Sequence, residues 1–254
     1  GVFTRPESSD DLVQCIQRRN QRKRFLVNKK EYERMADHIG NYPLVMISPY
    51  DRDLINDGSE LRRKYLDSVI SQFNREYLER LIAYNKALLQ RNTLLRGFAE
   101  KGGFDYSALE IWDAHLVLHG NYIHEVRRTF LLEFIPIFSH YFRLISRQKE
   151  TVDIRYISQL TGEDFGRLLI NGLHRDRLAQ TTGSGIHRDD MEFMLDGYPV
   201  KRYGSQGQQK SFVIAIKLAQ FEYTRRIKGV KPILLLDDIF DKLDDQRVDR
   251  KSVV

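Results

Sequence analysis

The sequence contains one cysteine, Cys15, and no apolar run long enough to cross a membrane. A single thiol excludes a disulfide within the chain and a metal site built from several thiolates. The longest apolar stretches, such as residues 233–236, are far shorter than the ~20 residues of a membrane-spanning helix. The first residues also lack a basic segment followed by an apolar one, so no secretion signal is predicted. Together these absences predict a cytoplasmic protein with no membrane partner.

Acidic residues are absent from residues 12–30, although 30% of the 254 residues are charged. The hydrophobic content of 41% is typical of a globular protein with one large or two modest domains, and the net charge is +6. A basic segment without acids is a candidate contact for DNA phosphates. A solvated turn on a basic protein explains it equally well. The five candidate residues are Arg18, Arg19, Arg22, Lys23 and Arg24.

Hydrophobic periodicity divides the chain into three predicted segments. Residues 12–27 alternate as two strands with a turn between them, and the apolar run 42–48 predicts another strand. Apolar residues at spacings of three and four then predict helices over 59–95 and 109–144, separated by Gly102-Gly103. This pattern favours an antiparallel helical arm, and an ordinary bundle core remains an alternative. The predicted segments are 1–54 (a basic, β-rich part of a head), 55–175 (the helical arm) and 176–254 (the rest of the head).

The last part of the chain alternates strands and helices. A strand is predicted at 151–158, and strands at 191–195 and 198–202 flank Asp196-Gly197, a dipeptide typical of two-residue hairpin turns. The predicted fold class is therefore α/β, a sheet-based head with an inserted helical arm. The other predicted elements are helices at 164–179 and 206–227, a strand at 233–236 and a helix from about Asp244.

The strand at 233–236 ends in two adjacent carboxylates, Asp237 and Asp238. Ligands bind at the carboxyl ends of strands in open α/β sheets. Neighbouring strand residues point to opposite faces, so the two carboxylates are predicted to have different roles. One is a candidate ligand of Mg²⁺, and the other is a candidate to orient or deprotonate a water molecule. For this pair alone, a strand that simply ends in polar residues is the alternative.

Small and amide residues precede the helix predicted from residue 206. Ser205 and Gly207 fall at a helix start, where free backbone N–H groups and the helix dipole attract an anion. Glycine lets the backbone approach a phosphate closely, and Gln208 and Gln209 add side-chain donors. Ser205 alone is explained as an ordinary helix cap. A cap, however, requires neither the Gly-Gln-Gln that follows nor an acidic strand end one helix downstream.

The run from Asp241 to Asp244 follows the two carboxylates and would be only a charged turn by itself. In this order, the three segments resemble the signature motif, Walker B strand and D-loop of ABC-type ATPase heads. They resemble more specifically the RecF family of DNA replication and repair proteins, over residues 25–250. The segments that carry this resemblance are Gly204-Ser-Gln-Gly-Gln-Gln209, Gly185-Ile-His-Arg-Asp-Asp190, Leu234-Leu-Leu-Asp-Asp-Ile-Phe240, Gln90-Arg-Asn92, Leu44-Val-Met-Ile-Ser-Pro49 and Arg62-Arg-Lys-Tyr-Leu-Asp67.

The resemblance implies roles in an ATP-dependent homodimer. Asp237 would hold Mg²⁺, Asp238 would be the catalytic carboxylate, and the D-loop residues Asp241 and Asp244 would lie at the dimer interface. The residues implied to contact the ATP held by the partner subunit are Ser205, Gln206, Gly207 and Gln208. The implied activity is a weak ATPase in the full-length dimer.

The same resemblance implies a role in DNA repair. The closed dimer would hold duplex DNA near a single-strand gap and release it on hydrolysis. The implied partners are DNA and the mediator proteins RecR and RecO, which help RecA load in recombinational repair and the SOS response. Two alternatives are another head of the SMC-like or Rad50-like kind, and a non-catalytic interaction module that uses the helical arm.

The sequence contains no Gly-x-x-x-x-Gly-Lys-Ser/Thr, the loop that cradles nucleotide phosphates. In the resembled family that loop lies near the N-terminus, so the chain is expected to be an interior piece of a longer protein and inactive as an ATPase by itself. His187 is a further candidate ligand. Because no second His or Cys lies near it at metal spacing, His187 is predicted to be a hydrogen-bonded structural histidine.

Overall fold

The computed structural model describes residues 2–5, 8–21, 23–147 and 149–237. The chain divides into two compact units, residues 1–43 and 44–254. The division into a head, an arm over 55–175 and a second head segment stays a prediction. No helix among the described residues is long and apolar enough to cross a membrane.

The first unit is an antiparallel sheet. Its strands are β1 (Val2–Arg5), β2 (Ser8–Ile16), β3 (Arg24–Val27) and β4 (Lys30–Glu31), paired in sequence order. The pairing of Ile16 with Arg24 closes β2 and β3 into the predicted hairpin. Among its described residues, this unit packs the His38 ring against three aromatic rings. Their centroids lie 4.7 Å (Phe25), 5.2 Å (Tyr32) and 5.8 Å (Tyr42) from that of His38.

Among its described residues, the second unit contains seven α-helices and two small sheets. Strand β5 (Leu44–Ile47) pairs in parallel with β9 (Ile233–Leu236). Strands β6 (Val152–Ile157), β7 (Asp190–Leu195) and β8 (Tyr198–Pro199) form an antiparallel sheet. The helices are α1 (Asp53–Asn56), α2 (Ser59–Ser71), α3 (Arg75–Lys101), α4 (Tyr106–Ser146), α5 (Phe165–Ala179), α6 (Val200–Tyr203) and α7 (Gln206–Lys228).

Helices α3 and α4 are the two long helices predicted around the glycine pair. Helix α3 ends at Gly102, whose φ of 67° is the left-handed conformation that favours glycine after a helix. Helix α4 begins at Asp105, whose side chain accepts a hydrogen bond from the Ala108 N–H group, and continues for 41 residues. The predicted helix over 59–95 is in fact two helices. Asn74 caps the second one by accepting from the Tyr77 N–H group at 2.9 Å.

A buried arginine on α4 joins four other elements of the second unit. The Arg127 side chain is 1% exposed, and its guanidinium lies 2.7 Å from Asp67 on α2 and 2.9 Å from Asp189 before β7. It also donates to the Tyr77 hydroxyl on α3 at 3.0 Å. Tyr156 on β6 donates to the same Asp189 carboxylate. Each of these buried ionic groups therefore has a partner of opposite charge, as the burial of ions requires.

A second buried arginine lies further along the helix pair. Arg91 on α3 is fully buried and pairs with Asp113 at 2.5 Å and Asp176 at 2.6 Å. It also donates to the Thr182 hydroxyl at 3.0 Å. Since Asp113 belongs to α4 and Asp176 to α5, these bonds fasten three helices to one another. Burial raises the pKa of Asp113, against the opposing effect of Arg91.

Candidate nucleotide site

Ser205 begins helix α7 and closes a reciprocal cap with Gln208. The Gln208 N–H donates to the Ser205 Oγ at 3.3 Å, and the Ser205 N–H donates to the Gln208 Oε1 at 2.7 Å. This capping box accounts for two N–H groups at the helix start. The N–H groups of Gln206 and Gly207 lie in the first turn, where the helix itself offers no acceptor. The Ser205 hydroxyl also keeps its proton available for donation.

The Gln208 amide has a fixed orientation. Its Oε1 faces an N–H group, and its Nε2 lies 2.6 Å from the Glu150 carboxylate, which can only accept. Exchanging the amide oxygen and nitrogen would break both bonds, so the partners determine the assignment. A side-chain amide carries two N–H donors, and one of them remains after the bond to Glu150. The turn around Ser205 therefore offers several donors in one place, and this set fits a phosphate.

Two glycines of this segment differ in what surrounds them. A Cβ on Gly204 would lie 2.8 Å from the Val200 carbonyl oxygen and 3.0 Å from the Val200 Cγ1, so packing inside the chain requires glycine there. A Cβ on Gly207 would meet nothing within 4 Å. Glycine weakens a helix relative to alanine, and among the described residues no neighbour explains its presence at position 207. A ligand that approaches from outside would explain it.

Gln209 does not add a donor to this site as the sequence suggested. Its side chain is 8% exposed, and its Nε2 donates to the Gly204 carbonyl at 3.2 Å and, more weakly, towards the Val200 carbonyl at 3.5 Å. The amide thus holds the turn before α7 in place. The expectation was wrong because α7 points successive residues in different directions, and Gln209 falls on its buried face.

Asp237 is exposed and follows β9 directly, at the carboxyl end of the parallel strand pair. Its N–H donates to the Ile47 carbonyl at 2.9 Å, which extends the pairing of the strands by one residue. Among the described residues no group of three or more His, Cys, Asp or Glu side chains is arranged to hold a metal ion. One carboxylate with phosphate oxygens and water is nevertheless an ordinary Mg²⁺ environment. Asp238, Asp241 and Asp244 lie outside the described residues.

Strand β5, the partner of β9, packs beside the middle of α7. Ile47 and Ile214 form a small buried cluster, against which Leu218 and Leu234 pack. At 1.5 Å rise per residue, Ile214 is about 14 Å along the helix axis from Ser205. The turn at Ser205–Gln208, called the signature turn below, is thus about 14 Å along α7 from the point where the parallel strand pair packs against this helix.

The basic segment forms the end of the β2–β3 hairpin in the first unit. Arg18, Arg19 and Lys23 are exposed there. Arg24 differs, because its guanidinium makes two hydrogen bonds of 2.9 Å from Nε to the Glu31 carboxylate across the sheet. Arg22 lies outside the described residues. Of the predicted DNA contacts, Arg24 therefore already has a partner of opposite charge.

His187 is the hydrogen-bonded structural histidine that was predicted. Its Nε2 lies 3.0 Å from the Thr182 carbonyl, which only accepts, so Nε2 carries the proton. Its Nδ1 consequently accepts from the Tyr84 hydroxyl at 2.8 Å. Burial lowers the pKa of His187 to about 4. A neutral ring with both nitrogens engaged is not available as a metal ligand.

Sequence reasoning missed the partners of the segment Gly185–Asp190. Arg62 on α2 pairs with Asp190 at 2.6 Å, and Arg63 donates to the Asp189 carbonyl at 2.6 Å. Arg127 completes this set from α4. These arginines lie 58 or more positions away in sequence, and each could equally have been a solvated helix residue. No local pattern distinguishes them.

The acidic strand end, the helix with its Ser-Gln-Gly-Gln start and the inserted helices define an ABC-type ATPase head with a helical arm. Two solved structures agree with this class. They are described as the recombination mediator protein RecF with ATP and with ATPrS in the RecFOR pathway. The first has a TM-score of 0.88 at 31% identity, over 95% of this chain and 66% of that one. The second has a TM-score of 0.85 at 32% identity, over 94% of this chain and 66% of that one.

Three curated relatives are all named DNA replication and repair protein RecF. The protein of Flavobacterium johnsoniae is 50% identical over 94% of this chain and 66% of its own length. The protein of Parabacteroides distasonis is 47% identical over 96% of this chain and 66% of its own length. The protein of Azobacteroides pseudotrichonymphae is 42% identical over 98% of this chain and 68% of its own length. No protein-family profile matches the sequence.

The chain belongs to the RecF family of DNA replication and repair proteins. It spans 66% of the length of the first two relatives. The family resemblance inferred from the signature and Walker B segments is therefore confirmed, and the SMC-like alternative is not supported.

Proposed function

We propose that the longer protein containing this chain is an ATP-dependent dimeric clamp on DNA in recombinational repair. The observation that carries the proposal is the signature turn, which gathers backbone N–H, hydroxyl and amide donors at the exposed start of α7. The family membership supplies the setting, since the relatives are named for DNA replication and repair. The cytoplasm, where bacterial DNA lies, is the proposed location.

In the proposed dimer, Ser205, Gly207 and Gln208 bind the terminal phosphate of the ATP held by the partner subunit. The hydroxyl proton of Ser205, the first-turn N–H groups and the remaining Gln208 N–H fit an anion of this size. The open space around Gly207 leaves room for its approach. Gln206, exposed beside them, contributes its backbone N–H. Dimerisation would then depend on a bound triphosphate.

Within its own subunit, Asp237 would hold Mg²⁺ and Asp238 would orient or deprotonate the attacking water. The metal would neutralise phosphate charge when bound. The exposed position of Asp237 at the strand end suits a carboxylate that approaches a nucleotide. Asp241 and Asp244 are proposed to meet the partner at the dimer interface. The activity proposed is slow ATP hydrolysis that releases the clamp.

The proposed DNA contacts are the exposed cations of the β2–β3 hairpin, Arg18, Arg19 and Lys23, with Arg22 in the same segment. Cations that neutralise phosphates release counterions, so binding weakens as salt rises. The proposed target is duplex DNA at single-strand gaps. RecR and RecO are the proposed protein partners, because the two structural neighbours belong to the RecFOR pathway, and RecA loading in the SOS response is the proposed outcome.

The proposal is tested by measuring self-association and duplex binding of the longer protein with ATP, with ADP and without nucleotide. Dimers and tight DNA binding are expected with ATP alone, and an Asp238→Asn variant should keep both while turnover stops. Equal dimerisation in all three conditions would contradict the ATP-dependent clamp.

The hairpin contacts are tested separately. Replacing Arg18 and Arg19 by Ser should lower the slope of log affinity against log salt by about 1.8, at about 0.9 for each phosphate contact. The matched control is Arg34→Ser in the same unit, where Arg34 already pairs with Asp37 at 3.2 Å. An unchanged slope in the double variant would remove the hairpin from the DNA interface.

A further inference from the structure

Glu150 is an acid beside the signature turn to which the sequence assigned no role. It lies between α4 and β6, 58 residues before Gln208 in the chain, and its carboxylate accepts from the Gln208 Nε2 at 2.6 Å. An acid is an unexpected neighbour for a turn that would bind a phosphate, because like charges repel. Its presence therefore requires an explanation.

The backbone next to Glu150 is held firmly in place. The Thr151 N–H donates to the Asp196 Oδ1 at 2.7 Å, and the Thr151 hydroxyl donates to the same oxygen at 3.0 Å. The Asp196 N–H donates back to the Thr151 carbonyl at 2.9 Å. Three hydrogen bonds thus fix the residue after Glu150 to the tight turn between β7 and β8. The carboxylate is presented from a defined position.

The bond to Glu150 constrains the last free torsion of the Gln208 side chain. The capping bond to the Ser205 N–H alone would hold the amide oxygen and leave the amide plane to rotate about it. With Glu150 accepting from one N–H, the plane is fixed at both ends. The second Nε2 proton then has one direction, and that proton is the side-chain donor left for an external acceptor.

We propose that Glu150 is a positioning residue that orients the Gln208 amide towards the nucleotide of the partner subunit. This inference rests on the proposed function, because it assumes that Gln208 binds a phosphate in trans. Glu150 itself does not touch the nucleotide. Its contribution is preorganisation, since an amide already held in its binding orientation loses less freedom when the dimer closes.

Two substitutions separate orientation from charge. Glu150→Ala removes the acceptor, and we expect ATP-driven dimerisation of the longer protein to weaken roughly tenfold for each of the two nucleotide sites. Glu150→Gln keeps an oxygen that accepts from Nε2 and removes the negative charge, so dimerisation should be at least as tight as in the wild type. Asp153→Ala is the matched control, an exposed acid on β6 three residues away, and should change nothing.

The readouts are the dimer dissociation constant from sedimentation with ATP, and ATP affinity of the single subunit, which should stay constant in all variants. A Glu150→Ala protein that dimerises like wild type, or a Glu150→Gln protein as weak as Glu150→Ala, would overturn the positioning role. Ser205→Arg, measured in parallel, distinguishes the two levels. If Ser205→Arg dimerises normally, the proposed function fails and the inference fails with it. If Ser205→Arg abolishes dimers and Glu150→Ala does not weaken them, only the positioning role of Glu150 fails.

Discussion

Polar groups in the interior of the helical arm are buried and paired, whereas those of the signature turn are exposed. In the arm, Arg91 and Arg127 are fully enclosed, and carboxylates, hydroxyls and carbonyls of the same chain surround them. At the turn, Ser205 and Gly207 are exposed, and the first-turn N–H groups face outward. Both regions are rich in hydrogen-bonding groups. In the arm these groups are buried, whereas at the turn they are exposed to solvent.

This difference separates structural polar residues from binding ones. A buried charge must be paired within the fold, or folding becomes unfavourable. Donors at an exposed helix start are instead satisfied by water until a ligand replaces it. Substitutions in the arm should therefore act on stability, and substitutions at the turn should act on ATP-dependent association.

The largest expected effect is in the arm. Arg127→Met would leave the Asp67 and Asp189 carboxylates buried without their counter-ion, and we expect a loss of about 3–5 kcal/mol of local stability. Arg128→Met is the control, because Arg128 is exposed and pairs with Glu125 on its own helix. That change should cost far less, since exposed ion pairs contribute little to stability. Hydrogen exchange of α3 and α4 measures both, and equal effects would contradict the structural role of Arg127.

A smaller effect is expected from the pH dependence of His187. Because its pKa falls from 6.5 to about 4 on folding, the unfolded chain binds a proton that the folded protein excludes. The neutral ring therefore stabilises the folded protein fully above about pH 6.5. This stabilisation is lost as the pH falls towards 4, and the loss reaches up to about 3 kcal/mol. His187→Gln keeps a donor and an acceptor but does not titrate. The stability difference between wild type and His187→Gln should therefore shrink as the pH falls, and a constant difference would assign the acid sensitivity to other groups.

Gly204 and Gly207 show the same difference between a structural and a binding position within four residues. Gly204→Ala should destabilise folding by about 1–3 kcal/mol, because its Cβ would overlap the Val200 carbonyl. Gly207→Ala should leave folding unchanged or improve it by up to about 1 kcal/mol. Its added methyl group lies where a phosphate would approach, so ATP-driven dimers should weaken. Thermal unfolding and sedimentation measure the two effects, and a normal dimer of the Gly207→Ala protein would indicate that no ligand contacts this position.

Structural features that depend on residues close in sequence were predictable. The β2–β3 hairpin, the Gly102 break between α3 and α4, and the Ser205 start of α7 depend on neighbours within a few residues. The predicted strand at 198–202 was wrong beyond Pro199, where α6 begins. Proline has no N–H group to continue a ladder, and this local signal could have ended the strand.

Contacts over long sequence range were not predictable. Arg127 looks like a solvated helix residue in the sequence, and its burial follows only from the packing of α2, α3 and the segment 185–190 around it. The bond between Glu150 and Gln208 joins the segment between α4 and β6 to the signature turn across 58 residues. Such pairs depend on tertiary structure, which one sequence without relatives does not reveal.

The most direct test of the account is the self-association of Ser205→Arg in the longer protein, with ATP, by sedimentation velocity. The arginine side chain would fill the space in front of the first turn of α7, far along the helix from the strand that ends at Asp237. We expect ATP binding by the single subunit to stay close to that of wild type while ATP-driven dimers disappear. Normal dimers, or loss of ATP binding in the monomer, would contradict a signature turn that acts on the partner's nucleotide.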